Sequence, residues 1–150
     1  MWLDALLGWW LLTLGWIDVR HWLLPDILTL PLIVVGLATA WLFASDELID
    51  RIAGAALGYV FLWLTAYAYR RLRGREGLGL GDAKLLAAAG AWVGASGLPD
   101  VVAVGAIAAL AVAGGLWLFG GVRFSRSSAL PFGPFLALAM WLVWLFGPIA

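Results

Sequence analysis

Long apolar runs, separated by short polar stretches, make up most of this chain. Four runs contain no charged side chain and are near or above the roughly 18 residues that cross a bilayer as a helix. They cover residues 27–45, 52–69, 101–122 and 127–150. Two shorter runs, 1–17 and 85–99, flank the most polar sequence. The pattern predicts an all-α, polytopic membrane protein with about six transmembrane helices, two of them short.

Composition supports a membrane protein and excludes a soluble domain. Hydrophobic residues make up 65% of the chain and charged residues only 12%, which is too few to cover a water-facing surface. No compositional break or internal repeat divides the sequence. We therefore expect a single transmembrane domain over residues 1–150.

The basic residues predict how the chain is oriented, because Lys and Arg in short loops stay on the cytoplasmic side. The six runs are numbered here in chain order: 1–17, 27–45, 52–69, 85–99, 101–122 and 127–150. Of the nine basic residues, only Arg51 follows an even-numbered run. The others follow the first, third and fifth runs: Arg20, Arg70, Arg71, Arg73, Arg75, Lys84, Arg123 and Arg126. Both termini should therefore face outward from the cytoplasmic (inner) membrane. The basic cytoplasmic rim should also attract anionic lipid head groups.

A carboxylate follows three spaced glycines where an apolar helix is predicted to begin. Gly77, Gly79 and Gly81 precede Asp82, and glycine permits backbone angles that let the chain bend into the protein. Ionisable groups in apolar segments are costly and usually functional. The helix N-terminus and nearby Lys84 would favour ionised Asp82. A purely structural N-cap is the alternative interpretation.

Two more acidic residues are predicted to lie at the same face of the membrane. Asp18 ends the first run, at or just inside the cytoplasmic boundary. Asp26 follows Pro25 at the start of the second run, and its spacing favours an N-cap role, because Asp accepts hydrogen bonds from free backbone N–H groups.

Two carboxylates that converge in a low-dielectric site share a proton and titrate as a pair. The ionised member can deprotonate a water that attacks a carbonyl, while the protonated member polarises that carbonyl and later donates to the leaving amine. Asp18 and Asp82 are the candidates. This chemistry needs no metal or cofactor, and we expect none.

Three blocks, in this order, resemble the type IV prepilin peptidases, polytopic aspartic proteases of the GxGD class. Asp18 is followed by Leu-Pro-Asp-Ile-Leu-Thr-Leu-Pro-Leu over residues 24–32. Residues 75–86 read Arg-Glu-Gly-Leu-Gly-Leu-Gly-Asp-Ala-Lys-Leu-Leu, and residues 130–135 read Leu-Pro-Phe-Gly-Pro-Phe. The six expected spans and the cytoplasmic aspartates agree with this resemblance.

The resemblance implies roles for individual residues. Asp82 corresponds to the GxGD aspartate and Asp18 to its catalytic partner, with Asp26 as the fallback partner. Other residues are implied to shape the active site or hold an extended substrate, although a simple helix start at 131–134 is an equally open interpretation. They are Gly79, Gly81, Lys84, Pro131, Phe132, Gly133 and Pro134.

The resemblance also implies the substrate: a type IV prepilin or a pseudopilin, whose short basic leader is removed at the cytoplasmic face. Nucleic acid is not an expected partner, and the sequence does not indicate an oligomeric state. Larger bacterial members carry a cysteine-rich cytoplasmic segment associated with N-methylation, whereas this sequence has no Cys. The implied protein is a minimal, peptidase-only member, and a separate methylating partner remains possible.

Other readings of the same residues remain open. Asp18, Asp82 and Lys84 could form the relay of a small proton-coupled carrier, or the carboxylates could only cap helices in a structural membrane protein. His21 is the single histidine and is interpreted as an interfacial side chain, since one imidazole cannot build a metal site. The pairs Gly54/Gly58 and Gly90/Gly94 have the spacing typical of helix packing in membranes.

Overall fold

The computed structural model describes residues 2–21, 24–74, 79–119 and 131–147. Five helices fill most of these ranges: α1 (Trp2–His21), α2 (Asp26–Phe43), α3 (Leu48–Arg73), α4 (Leu80–Phe119) and α5 (Gly133–Phe146). Within these ranges no strand is present, so the all-α prediction is confirmed. Three of the helices, α2, α3 and α4, are long and apolar enough to cross a membrane. The chain is therefore a helical membrane protein.

Helix α4 consists of two segments that meet at Gly94, whose φ of 78° and ψ of 176° are not helical. The sequence predicted an interruption at Asp100 instead, between the runs 85–99 and 101–122, and that boundary is wrong, because Asp100 lies inside the second segment, 95–119. Gly94 lies in the middle of an apolar run. The interruption is nevertheless sharp, because the positive φ turns the chain out of the helical path.

The second segment of α4 runs back along α5. Gly97 packs near Val143, with 3.5 Å between an ideal Cβ on the glycine and Val143 Cγ1. Gly105 packs near Leu136, with 3.4 Å between the corresponding Cβ and Leu136 Cδ2. The order of these contacts makes the segment antiparallel to α5. The first segment is parallel to α5, because the two helices meet at both ends. Gly81 and Gly133, at their starts, both lie near Leu24. Trp92, near the end of the first segment, packs edge-on against Trp144, near the end of α5, with 5.2 Å between ring centroids.

A carboxylate from α3 supports the interruption. The backbone N–H of Ala95 donates to Asp50 Oδ2 at 3.1 Å, and Ser96 Oγ lies 3.5 Å from the same oxygen. A helix that restarts after a break leaves its first N–H groups without intrahelical partners, and Asp is well suited to accept from them. A Cβ on Gly94 would collide with the Asp50 carboxylate. Asp50 therefore caps the second segment of α4.

The small-residue pairs serve helix packing, as predicted, and the helices that they join are α3 and α4. A Cβ on Gly54 would lie 2.6 Å from the carbonyl carbon of Gly94, and one on Gly58 would lie 2.5 Å from the carbonyl oxygen of Leu86. A Cβ on Gly90 would collide with the backbone of Gly54. The two helices thus touch backbone to backbone, which only glycine permits at these positions.

The start of α1 and the end of α5 lie at one end of the bundle. Trp144 Nε1 donates to Asp4 Oδ1 at 2.9 Å. Nearby, the buried Arg51 pairs with Glu47 at 2.7 Å, and its guanidinium carbon lies 5.4 Å from the centre of the Trp144 ring. Asp18 lies about 21 Å further along α1, at 1.5 Å per residue. The opposite end of the bundle therefore carries the candidate site.

Candidate active site

Asp18 is a buried carboxylate near the end of α1, with 6% of its surface exposed. It accepts a hydrogen bond from the backbone N–H of Gly133. A Cβ on Gly133 would collide with the Asp18 carboxylate, so the approach depends on glycine. The first turn of α5 therefore holds the end of α1 through a backbone donor.

Asp82 is the third residue of α4 and is half-buried. Its carboxyl group is close enough to Asp18 for the two charges to interact. The structure thus brings together the two carboxylates that the sequence singled out. The alternative that Asp82 is an N-cap is wrong: Gly79 precedes the helix, and the Asp82 N–H donates to the Gly79 carbonyl at 3.2 Å.

Leu24 links the two halves of the site. A Cβ on Gly81 would lie 2.9 Å from Leu24 Cβ, and one on Gly133 would lie 3.3 Å from Leu24 Cδ1. Gly81 is therefore required for space, beside a side chain that is 7% exposed. Leu24 belongs to the Leu-Pro-Asp block, but nothing in the sequence alone marked it as a contact of both glycines.

The sequence predicted that the glycine-rich turn uses backbone angles that other residues avoid, but the two glycines that the structure describes there do not have a positive φ. Gly79 and Gly81 are not among the described glycines with positive φ, which are Gly74, Gly94 and Gly147. Gly77, the first glycine of the motif, lies outside the described residues. In this part of the turn, closeness to Leu24 rather than an unusual backbone angle explains Gly81.

Asp26 has a different role from the one predicted. Helix α2 begins at Asp26, Pro25 occupies the N-cap position, and no side chain caps the helix, so the N-cap interpretation of Asp26 is wrong. Its Oδ1 instead accepts a hydrogen bond from Lys84 Nζ at 2.5 Å. Lys84, which the sequence predicted to favour ionised Asp82, therefore forms its ion pair with Asp26.

Residues 131–134 form a helix start, which is one of the two interpretations that the sequence left open. Phe132 is the N-cap of α5, Pro134 lies in the first turn, and the Leu136 N–H donates to the Phe132 carbonyl at 3.1 Å. Pro131 precedes the cap, and Gly133 contacts Asp18. The segment is a helix start whose first residue lies against the candidate pair.

An apolar groove of about 280 Å³ lies between α1 and α5 and reaches the level of Asp18. Val19 and Pro134, the chain neighbours of Asp18 and Gly133, line one end, while Gly8 and Trp141 line the other. Within the described residues, no three His, Cys, Asp or Glu side chains gather as a metal site would need. His21 ends α1 and is exposed.

The fold and the site together define a class: an all-helical membrane protein with two interacting carboxylates at one end of its bundle. The chain belongs to the type IV leader peptidase family, whose sequence model matches residues 5–114. No solved structure matches the chain.

Curated relatives agree with the family assignment. The chain is 43% identical over 137 residues to the prepilin leader peptidase/N-methyltransferase of Xanthomonas campestris pv. campestris, covering 91% of this chain and 47% of that protein. It is 42% identical to the protein of the same name from Dichelobacter nodosus, covering 93% and 46%. A third, from Burkholderia pseudomallei, is 46% identical, covering 85% and 40%. The chain spans about half the length of these relatives.

Proposed function

We propose that this protein is an aspartic endopeptidase that removes the basic leader from type IV prepilins or pseudopilins. The observation that carries the proposal is the pair formed by Asp18 and Asp82, two carboxylates from different helices whose charges interact. The relatives supply the substrate class, because their printed name is prepilin leader peptidase/N-methyltransferase. We propose residues 1–150 as a single peptidase domain.

In the proposed mechanism, the two carboxylates hold one proton between them, because two like charges at close range in an apolar site cannot both ionise cheaply. The ionised carboxylate takes a proton from water, and the resulting hydroxide attacks the carbonyl of the scissile peptide. The protonated carboxyl polarises that carbonyl and then protonates the leaving amine. The Gly133 N–H fixes the orientation of the Asp18 carboxylate.

Other residues of the site would shape it rather than react. Gly81 lets Leu24 pack between the helices, while Gly79, Pro131, Phe132 and Pro134 form the two helix starts around the pair. The apolar groove beside Val19 and Pro134 offers room for apolar side chains next to the reacting groups. A prepilin, with its basic leader followed by an apolar helix, fits such a site.

The proposed topology has six spans, with both termini outside the cytoplasmic (inner) membrane and the active site at the cytoplasmic face. The six helical segments in the described ranges support it, since they alternate in direction once α4 is divided at Gly94. The basic end of α3 also supports it, with Arg70, Arg71 and Arg73 at the same end as Asp82. This basic rim would contact anionic lipid head groups.

The central test co-expresses a prepilin with this protein and with Asp18→Asn and Asp82→Asn variants, and follows leader removal by gel shift and mass. Each substitution keeps the side-chain shape but cannot perform the proton transfers, so cleavage should stop. Asp46→Asn is the matched control, because Asp46 is exposed at the other end of the bundle. Continued cleavage by either site variant would contradict its catalytic role.

The same samples separate the remaining readings. Leader removal without added methyl mass would support a peptidase-only protein. Proton flux into vesicles that is lost in both Asn variants, with no cleavage by the parent protein, would favour the carrier instead.

A further inference from the structure

Lys84 occupies an unusual place for a cation. It is the only basic residue in α4 and lies near the N-terminus of the helix. The exposed N–H groups at this end carry a partial positive charge, which favours anions and disfavours Lys. Lys84 forms an ion pair with a residue of another helix, Asp26 in the first turn of α2.

The residues at the start of α2 contact the first turns of α4 at two points. Leu24 lies against Gly81, where a Cβ would approach to 2.9 Å, and Asp26 binds Lys84 at 2.5 Å. Pro25 lies between these two contacts and limits the freedom of the backbone that joins them. The apolar contact is buried, whereas the Lys84 and Asp26 side chains remain 26% and 58% exposed.

The two contacts bear directly on Asp82. With 3.6 residues per turn, Asp82 and Lys84 point to roughly opposite sides of α4. Together with the backbone contact between Leu86 and Gly58, a restraint on Lys84 therefore limits rotation of the first turns about the helix axis, and so limits the direction of Asp82. Exposed ion pairs add little to stability, so the pair is better explained by this geometric effect than by folding.

We propose that the Asp26–Lys84 ion pair is a positioning clamp that sets the rotation of the first turn of α4 and so holds Asp82 against Asp18. Its effect on peptide cleavage rests on the proposed function, but its effect on geometry does not. Under this proposal Asp26 is a positioning residue and not a catalytic carboxylate.

The geometric test uses the absence of Cys from the sequence. A variant with Asp18→Cys and Asp82→Cys is oxidised in membranes, and the intramolecular disulfide is scored by mass. Adding Lys84→Ala should lower the disulfide yield, and the charge exchange Asp26→Lys with Lys84→Asp should restore it. Arg73→Ala removes an exposed charge at the same end and should leave the yield unchanged.

The kinetic test uses the protein with both catalytic aspartates intact. Lys84→Ala and Asp26→Ala should each lower kcat for leader removal by up to about 5-fold, since an exposed ion pair contributes at most about 1 kcal/mol. KM and the unfolding temperature in detergent should stay near the parent values, and the charge exchange should recover kcat.

The outcomes distinguish the two proposals. If the disulfide yields follow the expected pattern while the parent protein cleaves no prepilin, the clamp stands and the proposed function fails. If the parent cleaves and Lys84→Ala lowers cleavage but not disulfide yield, the clamp is overturned and Lys84 acts on the substrate. The clamp is also overturned if the charge exchange restores neither the disulfide yield nor kcat. The same holds if the protein with Asp18→Cys and Asp82→Cys, and with Asp26 and Lys84 unchanged, forms no disulfide.

Discussion

Gly133 donates its backbone N–H to the carboxylate of Asp18, and it can do so only because it has no side chain. This contact joins the last described helix of the chain to the first. Leu24 lies against the same glycine and also against Gly81, so one side chain packs against both the helix that holds Asp18 and the helix that carries Asp82.

Replacing Gly133 with Ala should therefore abolish or strongly reduce leader removal, because the new Cβ would displace the Asp18 carboxylate. Cleavage of a co-expressed prepilin measures the effect. Gly114→Ala is the control, since a Cβ there meets no atom within 4 Å. That control should cleave normally and gain roughly 0.5–1 kcal/mol of helix stability. Normal cleavage by Gly133→Ala would show that the contact is dispensable.

Removing the Asp50 cap from the second segment of α4 should lower the stability of the protein without changing the carboxylates of the candidate site. Asp50→Ala leaves the Ala95 N–H without its partner, and losing a cap costs about 0.5–2 kcal/mol. Thermal unfolding in detergent should show a lower midpoint, while the folded fraction still cleaves prepilin. Asp46→Ala, at a neighbouring exposed position, should leave the midpoint unchanged. An equal fall in both variants would argue against a specific cap.

A larger side chain in the contact between α3 and α4 should destabilise the protein. Gly58→Leu would force a side chain into the Leu86 carbonyl, and overpacking of this kind costs typically about 1–3 kcal/mol, or more when backbone must move. Gly115→Leu adds the same side chain where no atom lies within 4 Å. We expect reduced yield and a lower unfolding midpoint for the first variant only. Equal stability of the two would mean that the helices do not touch there.

The proposed orientation predicts opposite labelling at the two ends of α3. Single cysteines replacing Asp46, before the helix, and Arg73, in its last turn, are exposed in the otherwise cysteine-free protein. An impermeant maleimide added outside intact spheroplasts should label Asp46→Cys and not Arg73→Cys. Lysis should make both accessible, and the reverse pattern would invert the topology.

Features set by local sequence could be predicted. Apolar runs predicted helices because the hydrocarbon layer demands both length and internal hydrogen bonding, and α2 matches its run to within two residues at each end. The spacing of Gly54 and Gly58 predicted a packing face, and the structure places it against Gly90 and its neighbours. Loop charges placed Asp18 and Asp82 at the same face, and the resemblance to the type IV prepilin peptidases implied that they form a pair.

Features set by contacts between distant residues could not be predicted. Asp100 was predicted to lie in a loop between two spans, but the chain breaks at Gly94, where Asp50 from another helix accepts the freed N–H. Asp26 had the sequence context of a cap, yet its partner is Lys84, 58 residues away. Spacing along the chain does not reveal such partners.

The break at Gly94 also determines how deep the site lies. The first segment of α4 has fourteen residues and rises only about 21 Å, whereas the hydrocarbon layer is about 30 Å thick. In the proposed topology Gly94 lies at the outer boundary, which leaves Asp82 recessed below the cytoplasmic surface of the bilayer. Hydrolysis needs water at that depth, so the lipid around α4 must be thinned or a hydrated funnel must descend from the cytoplasm. If the proposed topology holds, a single glycine near the outer surface thus sets the distance that water must travel from the inner surface.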